Sequence, residues 1–443
     1  MTNQTRFHII HVGSVTSKGT YALLKAELSE LKRICPSSEI SVSTTDCYSL
    51  RRLEPNLKAS PPLIDIPYEI ADSKAIQNKK SRRSWNYKFY LVTYTLLVPI
   101  QAVLSLFSCL LLNANLPSFY RSEKFRQLRE SDLIISTADE NFKEGSLHFQ
   151  YNVTWKLLWW FMLFSRAWDI IVAKKAFRKS VVVFPNSLGP FKTRFGSFMT
   201  RTALNNVDLI LLRELRSNSF LRILGVFTPI VNTTDIALLL DGKKKDRSKG
   251  LVAQKKTIGV SPGLYSASLS PKKQMDYIAV HSQLLDWMIE EYGVEVVFLP
   301  LEITTFGGDD YSFCEMILKR MRHQDQAKIV CEETPEGFKE YLADLDMLIS
   351  SRMHPLVLAS SEMLPSVVIC YDHKQTGFLD QLGLSCCGID INDVSFEKMQ
   401  LKTEYVWKNK ENIRKHLETI VPILQNDLRM KIQKICQDFL PIQ

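Results

Sequence analysis

The stretch LADLDMLISSRMHPLVLASSEMLPSVVI, from Leu342 to Ile369, contains the pattern that decides the fold. An apolar run that ends at Ile349 reads as a buried strand, and the apolar run that closes the stretch reads as a second strand. The segment between them has Pro355 near its start, and proline fits the first turn of a helix. Strand, helix and strand in succession predict parallel strands joined by a crossover helix.

The same alternation continues along the rest of the chain. Near the start, Phe7–Val12 reads as a strand, Gly13–Gly19 as a loop and Thr20–Ile34 as an amphipathic helix. Further on, the apolar runs Leu133–Ser136 and Leu209–Leu212 are each followed by a polar loop. We therefore predict an α/β protein made of two Rossmann-like domains with parallel sheets and a cleft between the domains.

Composition limits the function classes. The 443 residues are 45% hydrophobic and 23% charged, which is typical of a folded protein with about two domains. The net charge of +9 favours anionic partners, and no basic amphipathic helix with interleaved aromatic residues indicates a nucleic-acid module. Nine scattered cysteines without a C-x-x-C pair, and no metal-ligand spacing elsewhere, predict neither a disulfide framework nor a metal site.

Domain boundaries follow from changes in composition. A basic stretch at 243–256 lacks periodicity and reads as a linker. It separates an N-terminal domain, 1–242, from a C-terminal domain, 257–407, that carries the Arg-Met-His sequence. We expect the remaining helical tail, 408–443, to cross back to the first domain.

An apolar insertion, residues 88–118, interrupts the first domain. Its central run from Tyr90 to Leu112 has no charged residue, is long enough to span a bilayer, and follows a segment rich in lysine and arginine. It could span a membrane, lie on a membrane surface or form a buried core helix. Because both flanks belong to one predicted sheet, the surface-lying interpretation is favoured, with an anionic membrane surface as the partner. The N-terminus lacks an apolar signal-peptide core, so the expected location is cytoplasmic, peripheral or monotopic at the inner face.

Ligands of such sheets bind at the carboxyl ends of the strands. Arg352 and His354 follow the predicted strand that ends at Ile349, and the helix behind them would direct its N–H groups and positive dipole end to the same place. A forked cation suits phosphate or carboxylate, and an imidazole can move a proton near neutral pH. The alternative is that Arg352 pairs with a surface acid and that His354 caps a local turn.

Arg213 occupies the equivalent place in the first domain, directly after an apolar strand. Together with Arg352 it would suit a small ligand with two anionic groups, although an ion pair with Glu214 is an equally simple explanation. Weaker candidates lie in the other strand-end loops. Those in the first domain are Gly13, Lys18, Thr20, Asn186 and Asp235, and those in the second are Met353 and Lys374. The acids Asp309 and Asp310 read as a helix N-terminus or as an acid pair.

Taken together these motifs resemble the polysaccharide pyruvyl transferase family. The resemblance rests on HVGSVTSKGTYALL, SDLIIS, NSLGPF, the LLRELRS element, TTDIAL, IGVSPG, DDYSFCEMI, SRMHPLVLAS and YDHKQTGFLDQLGL, in this order from about residue 8 to 385. The family's arginine–apolar–histidine signature falls on Arg352, Met353 and His354, and its RE…S element falls on Arg213, Glu214 and Ser217. Its strand-end acid falls on Asp235.

The resemblance implies a glycosyltransferase-B-like fold and an enzyme that moves a pyruvyl group from phosphoenolpyruvate to sugar hydroxyls of a polysaccharide or lipid-linked glycan, forming a ketal. It implies phosphoenolpyruvate as co-substrate and no cofactor. Arg213 and Arg352 would hold the donor, and His354 would protonate it. The alternatives are a glycosyltransferase that uses a nucleotide sugar and a non-catalytic relative at a membrane surface.

Overall fold

The computed structural model describes residues 4–65, 96–109, 122–144, 153–242, 256–263, 271–304 and 308–441. The chain divides into two compact units. The first unit contains Met1–Val15, Glu27–Thr233 and Arg429–Gln443, and the second contains Thr16–Ala26 and Thr234–Leu428. The predicted linker, 243–256, lies outside the described residues except for its last position.

The first unit is built on a parallel sheet of seven strands. The strands are β1 (Arg6–Val12), β2 (Glu39–Thr44), β3 (Lys58–Ser60), β4 (Leu133–Ser136), β5 (Ser180–Asn186), β6 (Leu209–Leu212) and β7 (Ile230–Asn232). They lie in the order β3-β2-β1-β4-β5-β6-β7. All four residues of β4 are buried, as expected for a parallel strand covered on both faces. The prediction of a parallel α/β sheet in this half of the chain is confirmed.

The helices of this half of the chain contribute apolar residues to the core. They are α1 (Lys18–Ile34), α2 (Cys47–Leu53), α3 (residues 96–109), α4 (Glu123–Glu130), α5 (Val153–Ile171), α6 (Arg194–Leu204) and α7 (Arg216–Leu224). One continuous apolar cluster joins Phe125 of α4 and Ile170 of α5 to Ile134 and Val183 of the sheet. A short π-helical turn at Val172–Ala176 follows α5 directly.

Helix α3 is the described part of the predicted apolar insertion. Val98 and Ala102 pack with Ile64 against the partly buried ring of Trp168, whose indole Nε1 donates to the Ser105 hydroxyl at 2.6 Å. The rest of the run from Tyr90 to Leu112 lies outside the described residues. Within the described ranges, no helix combines the length and the apolar character needed to cross a membrane.

The second unit is built on a parallel sheet of six strands. The strands are β8 (Thr257–Ser261), β9 (Glu295–Phe298), β12 (Ala327–Ile329), β13 (Met347–Ser350), β14 (Ser366–Cys370) and β15 (Gly388–Asp390), in the order β12-β9-β8-β13-β14-β15. A small antiparallel pair, β10 (Ile303–Thr304) and β11 (Gly308–Asp309), follows β9. Strands β13 and β14, which flank the Arg-Met-His sequence, are buried throughout. They pair in parallel, as predicted from the sequence.

The helices of the second half of the chain alternate with these strands. They are α8 (Pro271–Tyr292), α9 (Asp310–Arg320), α10 (Pro335–Ala343), α11 (Met353–Ser361), α12 (His373–Leu382), α13 (Phe396–Lys408) and α14 (Lys410–Phe439). The last part of α14, from Arg429, belongs to the first unit, where the Arg429 Nε lies 3.1 Å from the Glu30 carboxylate.

One local prediction was wrong. The predicted loop Gly13–Gly19 ends earlier, because α1 begins at Lys18 and includes Gly19. A small residue therefore takes part in a helix terminus that a pattern of hydrophobicity does not show. Asp235, which the sequence places in a strand-end loop, follows β7 and caps a 3₁₀ turn at Ile236–Leu239 by accepting a hydrogen bond from the Ala237 N–H.

Candidate active site

The Arg-Met-His sequence lies at the carboxyl end of β13 in the second unit. Arg352 is the N-cap residue of α11, and Met353, His354 and Pro355 form its first turn. The first N–H groups of a helix have no partner within the helix, so this turn offers donors and a positive dipole end at the edge of the sheet. Pro355 lacks an N–H, which is tolerated at such a position.

Side chains on both sides fix the backbone of this turn. The Ser350 hydroxyl accepts a hydrogen bond from the Arg352 N–H at 3.0 Å. The Ser351 hydroxyl accepts from the Gly263 N–H at 2.7 Å, and the Ser351 carbonyl accepts from the Gln375 amide at 2.9 Å. These hydrogen bonds connect the segments that follow β8, β13 and β14. They fix the backbone from which the side chains of Arg352 and His354 extend.

Arg352 forms a forked ion pair with Asp310. Its Nε lies 3.0 Å from Oδ2 and its Nη2 lies 2.5 Å from Oδ1 of the fully buried Asp310, the first residue of α9. Glu302 lies 3.3 Å from the same Nη2. Bidentate contacts of this kind fix the plane of a guanidinium. The sequence predicted an arginine available for an anion, and the structure adds the two acids that hold it.

His354 lies against the first turn of α1. A Cβ atom placed on Gly19 would come within 2.2 Å of the His354 Nδ1, and within 2.9 Å of two other ring atoms. Glycine is therefore the residue that lets the imidazole occupy this position. Gly19 and His354 are both in the second unit, because the unit includes Thr16–Ala26.

Lys18 is the neighbouring cation. Its side chain is buried, and its Nζ donates to the carbonyl oxygens of Pro300 at 3.1 Å and Leu301 at 3.0 Å. Burial lowers the pKa of Lys18, while the nearby Cys331, Asp310 and other acidic groups act in the opposite direction. Lys18, Arg352, Asp310 and Glu302 thus form a charge-balanced cluster beside His354.

The first unit carries the other predicted arginine. Arg213 directly follows β6 and is almost completely buried. Its Nε donates to the Ser187 hydroxyl at 2.8 Å, and its Nη2 lies 3.6 Å from the Glu140 carboxylate. Glu140 is therefore one acid that pairs with Arg213, and the sequence did not single it out. The predicted pair with Glu214 stays a prediction.

Glu214 and Asn186 hold loops of the first unit in place. The Glu214 carboxylate accepts hydrogen bonds from the Ser217 N–H, at 3.1 Å, and from the Ser217 hydroxyl in the first turn of α7. The Asn186 amide accepts from the Asn141 N–H at 3.0 Å and donates to the Thr137 carbonyl at 2.9 Å. Glu214 therefore connects the loop after β6 to the start of α7, and Asn186 connects the end of β5 to the loop after β4.

The remaining candidates are distributed over both units. Gly13 lies in the first unit, where its carbonyl accepts from the Thr44 hydroxyl at 3.2 Å. Thr20, Asp235, Met353 and Lys374 belong to the second unit. Met353 is buried behind the helix terminus, and the Lys374 Nζ lies 5.5 Å from the centre of the Tyr371 ring. Their predicted binding roles stay predictions.

Sequence reasoning missed Glu302 and Gln375. Glu302 comes four residues after the end of β9, so its position beyond a strand end was the available signal. Gln375 lies in the first turn of α12 and completes a capping box with Asp372, a pattern that predicts a helix start and not a contact with Ser351. Among the described residues, no group of three or more histidine, cysteine, aspartate or glutamate side chains could hold a metal ion.

Solved structures of other proteins share this fold along nearly the whole chain. A UDP-N-acetylglucosamine 2-epimerase from Neisseria meningitidis, bound to UDP-GlcNAc, has a TM-score of 0.57 and 10% identity, with 98% of this chain and 100% of that chain covered. A putative UDP-N-acetylglucosamine 2-epimerase from Listeria monocytogenes has a TM-score of 0.58 and 11% identity, with 98% and 96% covered. HepE of Anabaena, in complex with UDP-glucose, has a TM-score of 0.53 and 12% identity, with 97% and 100% covered.

At these identities the likeness shows the fold. The predicted class, an α/β protein with two Rossmann-like domains of glycosyltransferase-B type, is confirmed. The sequence also identifies a family within this class of fold. The chain belongs to the polysaccharide pyruvyl transferase family, because the model of that family matches residues 19–373. The match includes Arg213, Arg352 and His354 and leaves Gly13, Lys18 and Lys374 outside.

The chain is also similar to a curated protein of polysaccharide biosynthesis. The amylovoran biosynthesis protein AmsJ of Erwinia amylovora is 24% identical to this chain over 277 residues. The alignment covers 58% of this chain and 66% of AmsJ, just under two thirds of that protein.

Proposed function

We propose that the protein transfers a pyruvyl group from phosphoenolpyruvate to two hydroxyls of a sugar in a polysaccharide or lipid-linked glycan, forming a cyclic ketal. Membership of the family supports the reaction class. The observation that carries the proposal is the position of Arg352 and His354 at a helix N-terminus, at the carboxyl end of a central parallel strand. Small anionic ligands bind at such places.

Groups of the second unit suit the proposed donor. Phosphoenolpyruvate carries a phosphate and a carboxylate, and the guanidinium of Arg352 has a rigid fork of donors that suits either group. Asp310 binds the Nε–Nη2 edge of the guanidinium and thereby fixes its plane, and the N–H groups of the first turn of α11 add further donors. For Arg213, which is buried against Ser187 and Glu140, a role in donor binding stays a prediction.

His354 is the proposed proton donor. It would protonate the methylene carbon of phosphoenolpyruvate, which becomes a methyl group, while positive character develops at the adjacent carbon. One sugar hydroxyl then attacks that carbon, phosphate leaves with the electrons of its C–O bond, and the second hydroxyl closes the ketal. Of the two hydroxyl protons released, one restores the donor acid and the other leaves with phosphate. No electron is exchanged with an external group, so we propose no cofactor.

Ligand-induced thermal stabilisation tests the donor. Phosphoenolpyruvate at a hundred times its Kd should stabilise the protein by about 2.7 kcal/mol, and UDP- or GDP-sugars should give no comparable shift. Arg352→Lys keeps a positive charge but loses the fork, so it should lose the shift. Arg322→Lys is the matched control, because Arg322 also pairs with acids of the second unit but is exposed.

Two results would contradict the donor assignment. A larger shift with nucleotide sugars than with phosphoenolpyruvate would favour the glycosyltransferase alternative. A protein that is stabilised by none of these ligands and releases no phosphate would fit the non-catalytic relative.

We also propose that helix α3 docks on an anionic membrane surface. Leu96, Ile100, Val103 and Phe107 recur at helical spacing along one face, and each side chain is more than half exposed. The opposite face is anchored by Val98 and Ala102. In the sequence, five basic residues at 79–88 precede this apolar face, and the combination of apolar stripe and basic flank suits an anionic lipid surface.

Sedimentation with vesicles tests this docking. The protein should sediment with phosphatidylglycerol vesicles more than with phosphatidylcholine vesicles, and salt should weaken the binding. Phe107→Asp should abolish it, and Phe227→Asp, at another exposed phenylalanine of the first unit, should not. Equal sedimentation of Phe107→Asp and the wild type would overturn the proposal.

A further inference from the structure

Helix α6 of the first unit has a basic and aromatic face that the proposed function does not use. The exposed residues of this helix are Arg194, Phe195, Phe198 and Arg201, and Lys192 is exposed just before it. Because a helix turns by about 100° per residue, Arg194, Phe198 and Arg201 share one face, and Phe195 lies beside it. The Phe198 side chain is 55% exposed and that of Phe195 is 40% exposed.

Buried groups hold this face in a fixed orientation. On the opposite side of α6, Met199 and Ala203 join the apolar core that includes α5 and the sheet. Before its first turn, the fully buried Glu144 carboxylate accepts hydrogen bonds from the N–H groups of Lys192 at 2.7 Å and Thr193 at 2.9 Å. The exposed side chains therefore extend from a helix whose position is fixed by the core.

The charge of this part of the first unit is one-sided. Helices α3, α5 and α6 contain a single acidic residue between them, Asp169, and it is buried. Within the part of the chain that the structure describes, Lys192, Arg194 and Arg201 form no ion pair. Three cations without a neighbouring acid produce a positive potential, which favours an anionic partner.

The aromatic side chains indicate which anionic partner fits. A small anion would contact the cations alone and leave the phenylalanine rings in water, whereas a lipid surface accepts both. Helix α5 packs against α6 and also against α3, the helix proposed to dock on a membrane. Trp160 of α5 lies 5.5 Å from the Phe195 ring, and Trp168 packs against α3. Tryptophan is enriched at membrane interfaces, so the face of α6 continues a surface suited to lipid.

We propose that α6 is a second membrane contact of the first unit. Phe195 and Phe198 enter the interface of an anionic bilayer, and Lys192, Arg194 and Arg201 bind lipid phosphates. Docking through α3 alone would leave the first unit free to rotate about that helix. A second contact through α6 fixes the orientation of the unit on the membrane. The inference does not depend on the transfer reaction.

Photolabelling locates the contact. The full chain is bound to phosphatidylglycerol vesicles that contain a phospholipid with a diazirine in its acyl chain, irradiated and digested with trypsin. Cleavage after Arg194 and Arg201 releases residues 195–201, FGSFMTR, which contain both phenylalanines. This peptide should carry label. Label in α3 with none in residues 195–201 would overturn the inference and leave the docking of α3 in place, and no label in either helix would contradict both.

Vesicle binding tests the charges and the rings separately. Each basic residue near an anionic surface strengthens binding about fivefold, so Arg201→Glu, which reverses one charge, should weaken binding about 30-fold. Phe198→Ser should also weaken it, and Phe198→Trp should retain it. Arg52→Glu is the matched control and should bind like the wild type. Arg52 is exposed on α2, which lies on the other face of the sheet, because the crossovers from β1 to β3 run opposite to those from β4 to β7.

The outcomes separate α6 from α3 and from other partners. If Phe107→Asp loses vesicle binding while Phe198→Ser and Arg201→Glu bind like the wild type, α6 is not a contact and the docking of α3 stands. The reverse result contradicts α3 and supports α6. A dimer in gel filtration that is lost in Phe198→Ser, without vesicle binding by the wild type, would overturn the proposal and assign the face to an interface between copies of the chain.

Discussion

Gly19→Ala should disable the enzyme without unfolding it. The new Cβ would lie 2.2 Å from the His354 Nδ1, where an ordinary contact needs about 3.5 Å. The imidazole must therefore move by more than about 1 Å. A misplacement of about 1 Å can lower the rate by about 10²-fold, which corresponds to about 2.7 kcal/mol in the activation free energy.

Gly19→Ala should lower activity without lowering the stability of the fold. Gly19 lies in the first turn of α1, and alanine is a better helix former than glycine by up to about 1 kcal/mol. We therefore expect kcat/KM for phosphoenolpyruvate to fall by about 10²-fold while the unfolding temperature stays within a few degrees of the wild type. Steady-state phosphate release and thermal unfolding measure the two quantities on the same sample.

Two controls decide whether the loss acts through His354. Gly337→Ala also adds a methyl group to the first turn of a helix in the second unit, but there the new Cβ meets the flexible end of Glu332, so activity should remain. In a His354→Gln background, Gly19→Ala should have little further effect. If Gly19→Ala has wild-type kinetics, the predicted clash between the new Cβ and His354 is refuted. If Gly19→Ala lowers kcat/KM equally in the wild-type and His354→Gln backgrounds, the loss does not act through His354.

Three further predictions address other groups. His354→Gln should lower kcat by about 10²–10⁴ with little change in the unfolding temperature, and near-normal transfer would exclude it as the proton donor. Asp310→Asn should raise KM for phosphoenolpyruvate and cost about 3–5 kcal/mol of unfolding free energy in urea, because Arg352 loses its buried partner; wild-type stability would contradict this. Burial raises the pKa of Asp169 from its ordinary value of 3.8 to about 7 in the folded protein. Between these two pH values the folded protein keeps the Asp169 proton and the unfolded chain has lost it. The free energy of unfolding therefore falls as the pH rises through this range. Relative to Asp169→Asn, the wild type should lose about 3 kcal/mol from pH 5 to pH 8, and urea denaturation that shows a parallel dependence for both proteins would disprove the shift.

Much of the sheet could be predicted from apolar runs. Leu133–Ser136 and Leu209–Leu212 are strands with the predicted bounds, because short buried parallel strands are continuous apolar segments bounded by polar residues. The start of α1 could not be predicted in this way. From the sequence, Gly19 reads as a loop residue. Only the tertiary structure shows that the ring of His354 lies against it.

The pairing of the candidate site residues also depends on tertiary structure. Arg352 and Asp310 are 42 positions apart, and both were singled out from their places at strand or helix ends. Nothing in the local sequence joins them, since the contact requires β13 and α9 to meet at one edge of the sheet. The buried neighbours His11 and Asp169, whose Nε2 and Oδ2 atoms lie 4.0 Å apart, could not be paired from the sequence for a related reason. His11 reads as part of a buried strand, and Asp169 as one polar position of a long helix.

Pyruvyl transfer itself is the most direct test of the central claim. The full chain is incubated with phosphoenolpyruvate labelled in its methylene carbon and with a panel of free and lipid-linked glycans, and products are analysed by mass spectrometry and NMR beside His354→Gln. The account predicts phosphate release coupled to a labelled methyl group in a cyclic ketal on at least one glycan, and loss of both signals in the variant. Label that stays in phosphoenolpyruvate with every acceptor, or equal transfer by His354→Gln, would contradict it.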